Sequence, residues 1–518
     1  MIRSFLTVSS GTLASRLLGF ARDALLAALL GAGPVADAFL VAFQLVNVVR
    51  RLLTEGALNA ALVPAWLRVR EAEGADAAAA FAGRVLGTIS TALIVAAILI
   101  GLLMPFVISA LAPGFAGHPT LGLAVENARL MLPYLAFAGP VTVMMALLNA
   151  QGRFALTAFS PLLFNIALIT VIVALFGWRQ DAATAALALA ATVGIAGLLQ
   201  LSILLWRGGG ARIASPLRIA FDRPMRDFLG KAVPGMIASA SPQLLVVAGA
   251  VIASTSPAAV SWLYFANRLI ELPLGIVGVA MGTVLVPELT RALRGGDATA
   301  LAHAESRGLE LAVGLALPAT LGLIVLSAPV VRMLFEHGAF AASDSAATAQ
   351  ALAWLALGLP AHVLVKALSP AFFARDDTRT PLLATLKGFA VTLVLSVVLG
   401  QIFGASGIAA SIAVGAWSGA FSLIRGGSFG FSIDAAARRR LPRIVGAAFI
   451  MGGLLWLTAG LLAAPGANAH ALLQAALLLL MIAAAIAVYG GLLALFGVIR
   501  WGEAVNAARQ TGLSDLRD

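Results

Sequence analysis

Apolar windows of about 20 residues recur along the whole chain, separated by short polar breaks. Stretches of that length, helical at about 1.5 Å per residue, cross a hydrocarbon core of ~30 Å, so the pattern predicts membrane-spanning helices. They fall at 9–30, 35–63, 85–110, 124–148, 157–177, 183–206, 229–254, 259–287, 308–331, 346–371, 380–403, 406–424, 443–463 and 471–499. The expectation is an all-α integral membrane protein of fourteen spans, and an even count puts both termini on one side.

The first two spans break the apolar pattern. Between Ser9 and Pro64, hinged at Gly31, Gly33 and Pro34, lie Arg16, Arg22, Asp23, Asp37, Arg50, Arg51 and Glu55. A charge at the bilayer centre costs roughly 3 kcal/mol on insertion scales, so such residues face a watery cavity or pair internally. Arginines outnumber carboxylates in this hairpin, which predicts a polar cavity that receives an anion.

Composition agrees with a membrane protein. Of 518 residues 61% are hydrophobic and 11% charged, and mean hydropathy is +1.00, leaving too little polar surface for a soluble globular chain. No cysteine is present, which excludes disulfides and thiolate chemistry. The net charge of +11 predicts no nucleic-acid partner, because the charge sorts by loop: with the termini inside, 25 of the 34 Lys and Arg residues fall in cytoplasmic loops and tails. The N-terminus lacks an A-x-A cleavage pattern, so the first span is expected to be retained.

The sequence repeats at an offset of about 223 residues. Pro64 falls on Pro287, Arg84 on Arg307 and Pro105 on Pro329. Six spans separate the copies, predicting two parallel, pseudo-symmetric six-helix lobes: residues 1–220, residues 221–440, and a remainder, 441–518, with the last two helices and a cytoplasmic tail. Residues 207–231 and 425–443 are Gly-rich and then basic, a composition that reads first as ordinary positive-inside loops and otherwise as segments that bind anionic headgroups of membrane lipids and tether the lobes.

Helical periodicity groups the charges. Asp37, Gln44, Arg51 and Glu55 fall within ~40° on the second span, and Arg16 shares a face with Asp23. Tyr264, Asn267, Arg268 and Glu271 form one face of the eighth span, where Arg268 and Glu271 can also pair along the helix. Lys366, four residues after His362, is a further candidate on span ten. The five His residues are scattered without metal-ligand spacing, and no G-x-x-x-x-G-K-[ST] phosphate loop occurs, so neither a metal nor a nucleotide cofactor is expected. A membrane glycosyltransferase would need a catalytic carboxylate in a large outer loop, and the longest such loop spans about a dozen residues.

Ser15-Arg-Leu-Leu-Gly-Phe-Ala-Arg-Asp, Gly31-Ala-Gly-Pro-Val-Ala-Asp-Ala-Phe, Asn47-Val-Val-Arg-Arg-Leu-Leu-Thr-Glu-Gly-Ala-Leu, Tyr264-Phe-Ala-Asn-Arg-Leu-Ile-Glu-Leu-Pro and Gly278-Val-Ala-Met-Gly-Thr-Val-Leu-Val-Pro resemble the MurJ (MviN) lipid II flippases of the MOP exporter superfamily. The resemblance implies fourteen helices, an inward-opening cavity between two lobes, and transfer of undecaprenyl-pyrophosphate-linked peptidoglycan precursor from the inner to the outer leaflet of the bacterial cytoplasmic membrane. It places the essential charges on Arg16, Arg22, Asp37, Arg50 and Arg268. Ser15, Asp23, Asn47, Arg51, Glu55 and Glu271 support them, and the last two helices form a groove for the lipid tail. Asn267 stands where many relatives carry Asp. Span seven, from Met236 to Ser254, lacks the acid of sodium-coupled members, which argues against a sodium site of that kind; the coupling force that the resemblance implies is sodium or the membrane potential. On this reading Arg16, Arg22, Arg50, Arg51 and Arg268 hold the pyrophosphate and Asp37 latches an outer gate. The partners expected are lipid II, membrane lipids and the cell-wall synthesis machinery. Export of a drug or of another polyprenyl-linked glycan is the alternative within the superfamily, and a drug cation would call for a carboxylate-rich cavity.

Overall fold

The computed structural model describes residues 2–54, 57–178, 180–208, 214–220, 222–223, 225–230, 232, 249, 251–281, 285, 288–289, 291–292, 295, 298–373, 377, 379–426, 434–467 and 471–498. Regular structure among them is helical throughout, with no strand. In chain order the long elements are α1 (Ile2–Leu30), α2 (Pro34–Thr54), α3 (Ala57–Glu73), α4 (Ala75–Leu102), α5 (Met104–Leu111), α6 (Pro119–Met131), α7 (Pro133–Ala150), α8 (Phe154–Trp178) and α9 (Ala182–Gly208). They continue as α10 (Ala259–Ala280), α11 (Ala298–Val325), α12 (Ser327–Phe335), α13 (Ala342–Phe373), α14 (Arg379–Gly426), α15 (Ala435–Ala467) and α16 (Ala471–Leu495).

Among the described residues, nine helices are long and apolar enough to cross a membrane. One of these, 379–425, bends at Gly404, whose φ is 55°; it contains both the eleventh and twelfth predicted spans. The charged helices α1, α2 and α10 are not among the nine. The second predicted span, 35–63, covers α2 and the start of α3, with Glu55 and Gly56 between them outside the described residues. Most of the seventh predicted span also lies outside them.

Proline punctuates the helices. Pro105 lacks an amide and crowds the carbonyl four residues earlier, so the ladder breaks at Leu103 between α4 and α5. Pro329 stands three residues after the break at Leu326 between α11 and α12, one further on than Pro105 stands from Leu103. The duplication is visible in the helix ends: α11 starts and stops 223 residues after α4, α12 starts 223 after α5, and α13 covers the α6–α7 stretch at the same offset.

The chain divides into two compact units, Met1–Tyr264 with Phe335–Asp344, and Phe265–Leu334 with Ser345–Asp518. In a bilayer lipid is as apolar as leucine, so close van der Waals packing through small residues holds helices together. In the first unit α1 crosses α8 at Gly11, where an added Cβ would stand 2.8 Å from Ala158. Below that, Leu62, Trp66, Phe81, Val85, Met144 and Leu147 join α3, α4 and α7 in one core. In the second unit α11 packs on α15 and α16 through Leu326, Met451, Leu455 and Leu478, and the Tyr489 hydroxyl donates to the Gly314 carbonyl at 2.8 Å. Ile98, Leu99 and Leu102 of α4 and Leu479, Leu480 and Ile486 of α16 are exposed, an apolar exterior suited to lipid.

Candidate functional site

The charges of α1 are held by partners distant in sequence. Arg22 is 8% exposed and Asp23 fully buried. The Arg22 Nε and Nη2 donate to Asp23 Oδ1 at 2.9 and 2.6 Å, and Nη1 donates to Asn165 Oδ1 of α8 at 3.0 Å. The guanidinium lies 5.1 Å from the Phe43 ring centre and 5.9 Å from that of Phe164, a cation–π setting strengthened by burial. Tyr264 donates to the same Asp23 oxygen at 3.3 Å, and Asn165 Nδ2 returns to the Ser15 carbonyl at 3.2 Å. Ser15 is half-buried. Asp23 therefore pairs with its neighbour Arg22, whereas helical spacing alone had set it facing Arg16.

Arg16 is different: it is exposed, and among the described residues it makes no hydrogen bond or ion pair. On α2, Arg50 is half-buried and its Nε and Nη2 donate to Asn47 Oδ1 at 3.3 and 3.1 Å. One turn earlier, the Gln44 Oε1 is buried without a hydrogen bond among the described residues. Glu55 lies outside the described residues, as does the side chain of Arg51. In the second unit Arg268 Nη1 donates to Glu271 Oε2 at 2.8 Å, both partly exposed. Lys366 is exposed, with its amine 3.7 Å from where a Cβ on Gly278 would stand.

Among the described residues Asp37 pairs with no cation. It is 2% exposed, and its Oδ1 accepts from the backbone amide and the hydroxyl of Ser261 at 2.9 and 2.5 Å. Ser261 lies in the first turn of α10, where unpaired amides and the helix dipole favour a carboxylate. The neighbouring Trp262 Nε1 donates to Asp344 Oδ1 at 3.1 Å. Beside it the Ala339 amide donates to the Ala28 carbonyl at 2.8 Å. Gly31, at φ 68°, lets the turn after α1 approach within a distance that a Cβ would close to 2.6 Å from the Ala339 carbonyl. Phe335 and Phe340 are buried there, ring centres 6.1 Å apart. The end of the α1–α2 hairpin, the start of α10 and residues 335–344 thus form one hydrogen-bonded seam around the buried Asp37, Ser261, Phe335 and Phe340.

Ser261 and Asn165 were missed by the reading of the sequence. Asn165 carried a signal, a lone amide inside the apolar run of α8. Ser261 carried none, since its role depends on a carboxylate 224 residues away.

Two solved structures share the architecture. "Lipid II flippase MurJ, inward closed conformation" superposes with a TM-score of 0.78 at 22% identity, covering 96% of this chain and 100% of that one. An inward-facing multidrug resistance MATE family transporter of the MOP superfamily gives 0.66 at 15%, covering 85% and 98%. Together with the apolar, duplicated helices and their buried charges, this defines an all-α multi-pass membrane protein of the MOP exporter fold. A family model described as "Lipid II flippase MurJ" matches residues 26–477. The probable lipid II flippase MurJ of Rhizobium meliloti (strain 1021) is 41% identical over 504 residues, 94% of this chain and 92% of that protein. The lipid II flippase MurJ of Burkholderia cenocepacia is 33% identical over 468 residues, 88% and 89% respectively. The chain belongs to the MurJ lipid II flippase family.

Proposed function

We propose that this protein carries lipid II across the bacterial cytoplasmic membrane, from the inner to the outer leaflet, with both termini in the cytoplasm. The observation that carries the reading is Arg16: an exposed guanidinium, on a helix of membrane-spanning length, without a protein partner among the described residues. A diphosphate is its natural complement, since a guanidinium fork matches phosphate oxygens in two parallel bonds.

Arg16 makes first contact with the diphosphate. Arg50 turns to it from Asn47, a neutral acceptor that holds a guanidinium less strongly than a carboxylate does. Arg22 acts differently. Already bonded to Asp23, Asn165 and two aromatic rings, it fixes α1 against α8 and sets the positive field of the site without releasing its own partners. The seam at Asp37 and Ser261 is the outer closure, so substrate enters from the cytoplasmic side and the seam parts to release it outward. The membrane potential resets the carrier, because each charge crossing the field is worth about 2.3 kcal/mol per 100 mV. No bond is made or broken, so the protein is a transporter and not an enzyme. On this reading the cell-wall synthesis machinery uses the delivered lipid.

Depletion of the protein, followed by measurement of lipid II accessible at the outer leaflet, tests this. Accessibility falls on depletion and returns with the wild-type gene; unchanged flipping overturns the proposal. Reconstitution with fluorescent lipid II, with and without a sodium gradient or an imposed voltage, identifies the driving force.

A further inference from the structure

Away from the arginine hairpin, the segment after α9 forms a strap across α4. The Ser215 amide donates to the Ala79 carbonyl at 3.2 Å. Thr88 and Ala220 exchange two bonds: the Ala220 amide donates to Thr88 Oγ1 at 3.1 Å, and that hydroxyl donates to the Ala220 carbonyl at 3.3 Å. The backbone of the strap lies directly on Gly83 and Gly87, where a Cβ would come within 2.3 Å of the Pro216 carbonyl oxygen and 2.6 Å of that of Arg218. Asp222 closes the far end, 3.4 Å from Arg84, and accepts from the Met225 amide.

Strap, α4, α7 and α9 line an open-sided cavity of about 480 Å³, within the usual ligand range of about 300–1,000 Å³. Leu86, Leu201, Leu205, Leu217 and Ile219 supply its apolar lining. The two hydroxyls in the wall do not alter that character, because Ser90 and Thr91 donate to carbonyls of their own helix at 2.6 and 2.9 Å. Arg218 is the one charged residue of the lining; it is exposed, and among the described residues it has no hydrogen-bond or ion-pair partner. Leu217 and Ile219 on either side of it are 64% and 59% exposed. Nearby, Arg207 stacks on the exposed Trp206 at 4.9 Å, an aromatic and cationic pairing typical of the membrane–water interface. None of the lining residues belongs to α1, α2 or α10.

An apolar slot with a single free guanidinium at its mouth fits a molecule with one hydrocarbon chain to bury and one negative charge beside it. We propose that this cavity binds an anionic phospholipid, its phosphate on Arg218 and one acyl chain between α4, α7 and α9. The bound lipid completes the packing between strap and helices and ties the segment that follows α9 to the bilayer surface.

The test uses the full-length protein in phosphatidylcholine vesicles doped with a diazirine-acyl probe, either phosphatidylglycerol or phosphatidylcholine, with cross-linked peptides read by mass spectrometry. The phosphatidylglycerol probe labels the segments around Leu86 and Leu201–Leu205 about tenfold more than the phosphatidylcholine probe, as one charge-assisted bond would give. Arg218→Gln keeps the strap's backbone bonds and brings the two probes level. Leu201→Trp fills the slot and removes labelling by both, and thermal melting confirms that each variant is folded. Equal labelling of the wild type by both probes, or none in these segments, overturns the proposal. So does displacement of the probe by excess undecaprenyl pyrophosphate, which would give the slot to the chemistry of the transported lipid.

Discussion

Asp37 of α2 and Ser261 of α10, 224 residues apart, meet through two hydrogen bonds onto one carboxylate oxygen, in a site closed to solvent. The pair joins the end of the α1–α2 hairpin to the first turn of α10, so any opening at this end must break it. A carboxylate held by neutral donors at a helix N-terminus is bound firmly and still releases more readily than one held by a buried cation, whose removal costs about 3–5 kcal/mol.

Ser261→Ala removes the hydroxyl and leaves the amide, a loss of about 1–3 kcal/mol at a buried acceptor. Because the chain has no cysteine, a single Ala32→Cys reports access cleanly. Labelling of that cysteine by an impermeant maleimide from outside is expected to rise several-fold in Ser261→Ala, and unchanged labelling would mean that the seam does not depend on this pair.

Arg16 and Arg22 separate substrate contact from architecture. Arg16→Ala is expected to abolish transport with a melting temperature close to that of the wild type, and Arg16→Lys to restore only part of the activity because the fork is lost. Arg22→Ala takes the cation from the buried Asp23 and leaves the Tyr264 hydroxyl beside it, at a cost of about 3–5 kcal/mol, and lowers melting temperature and transport together. Comparing transport in vesicles with melting in detergent for the three variants checks this.

Gly31 sits at φ 68°, with the Ala339 carbonyl in the space a side chain would need. Gly31→Ala incurs a left-handed backbone penalty of about 1–2 kcal/mol and pushes the hairpin away from residues 335–344. Lower thermal stability with increased outside labelling at position 32 is the expected result. Gly33→Ala is also strained, at φ 152°, but nothing stands within 4 Å of the added Cβ, so it is expected to lower thermal stability without raising outside labelling at position 32.

Outside the spans, Asp434 caps the start of α15. The Ala437 amide, first, and then the His303 ring hold its carboxyl below the usual aspartate value. A carboxyl with a depressed folded value adds stability above about pH 4, the unfolded value, and that stability is lost as pH falls through the lower folded value. Asp434→Asn is therefore expected to flatten the acid limb of a melting-temperature profile while leaving the limb above neutrality parallel to that of the wild type.

Hydropathy and spacing by themselves determined that the chain is an all-helical membrane protein, that it is built twice at an offset of 223 residues, and which helices bear the charges. These properties follow from local composition and helical period, because lipid requires an apolar exterior and a hydrogen-bonded backbone wherever the chain crosses. The motifs around Arg16, Asp37 and Arg268 also carried the family likeness. Arg268 meets Glu271 along its own helix, as spacing allows, but the surroundings of Arg22, Asp23 and Asp37 were decided by tertiary structure. Period puts Arg16 and Asp23 on one face, yet Asn165 from α8 and Tyr264 from α10 hold Arg22 and Asp23 together and leave Arg16 unpaired among the described residues. Likewise the strap over Gly83 and Gly87 reads in sequence only as a basic linker. Periodicity fixes the direction in which a side chain leaves its own helix; what it meets there depends on helices hundreds of residues away.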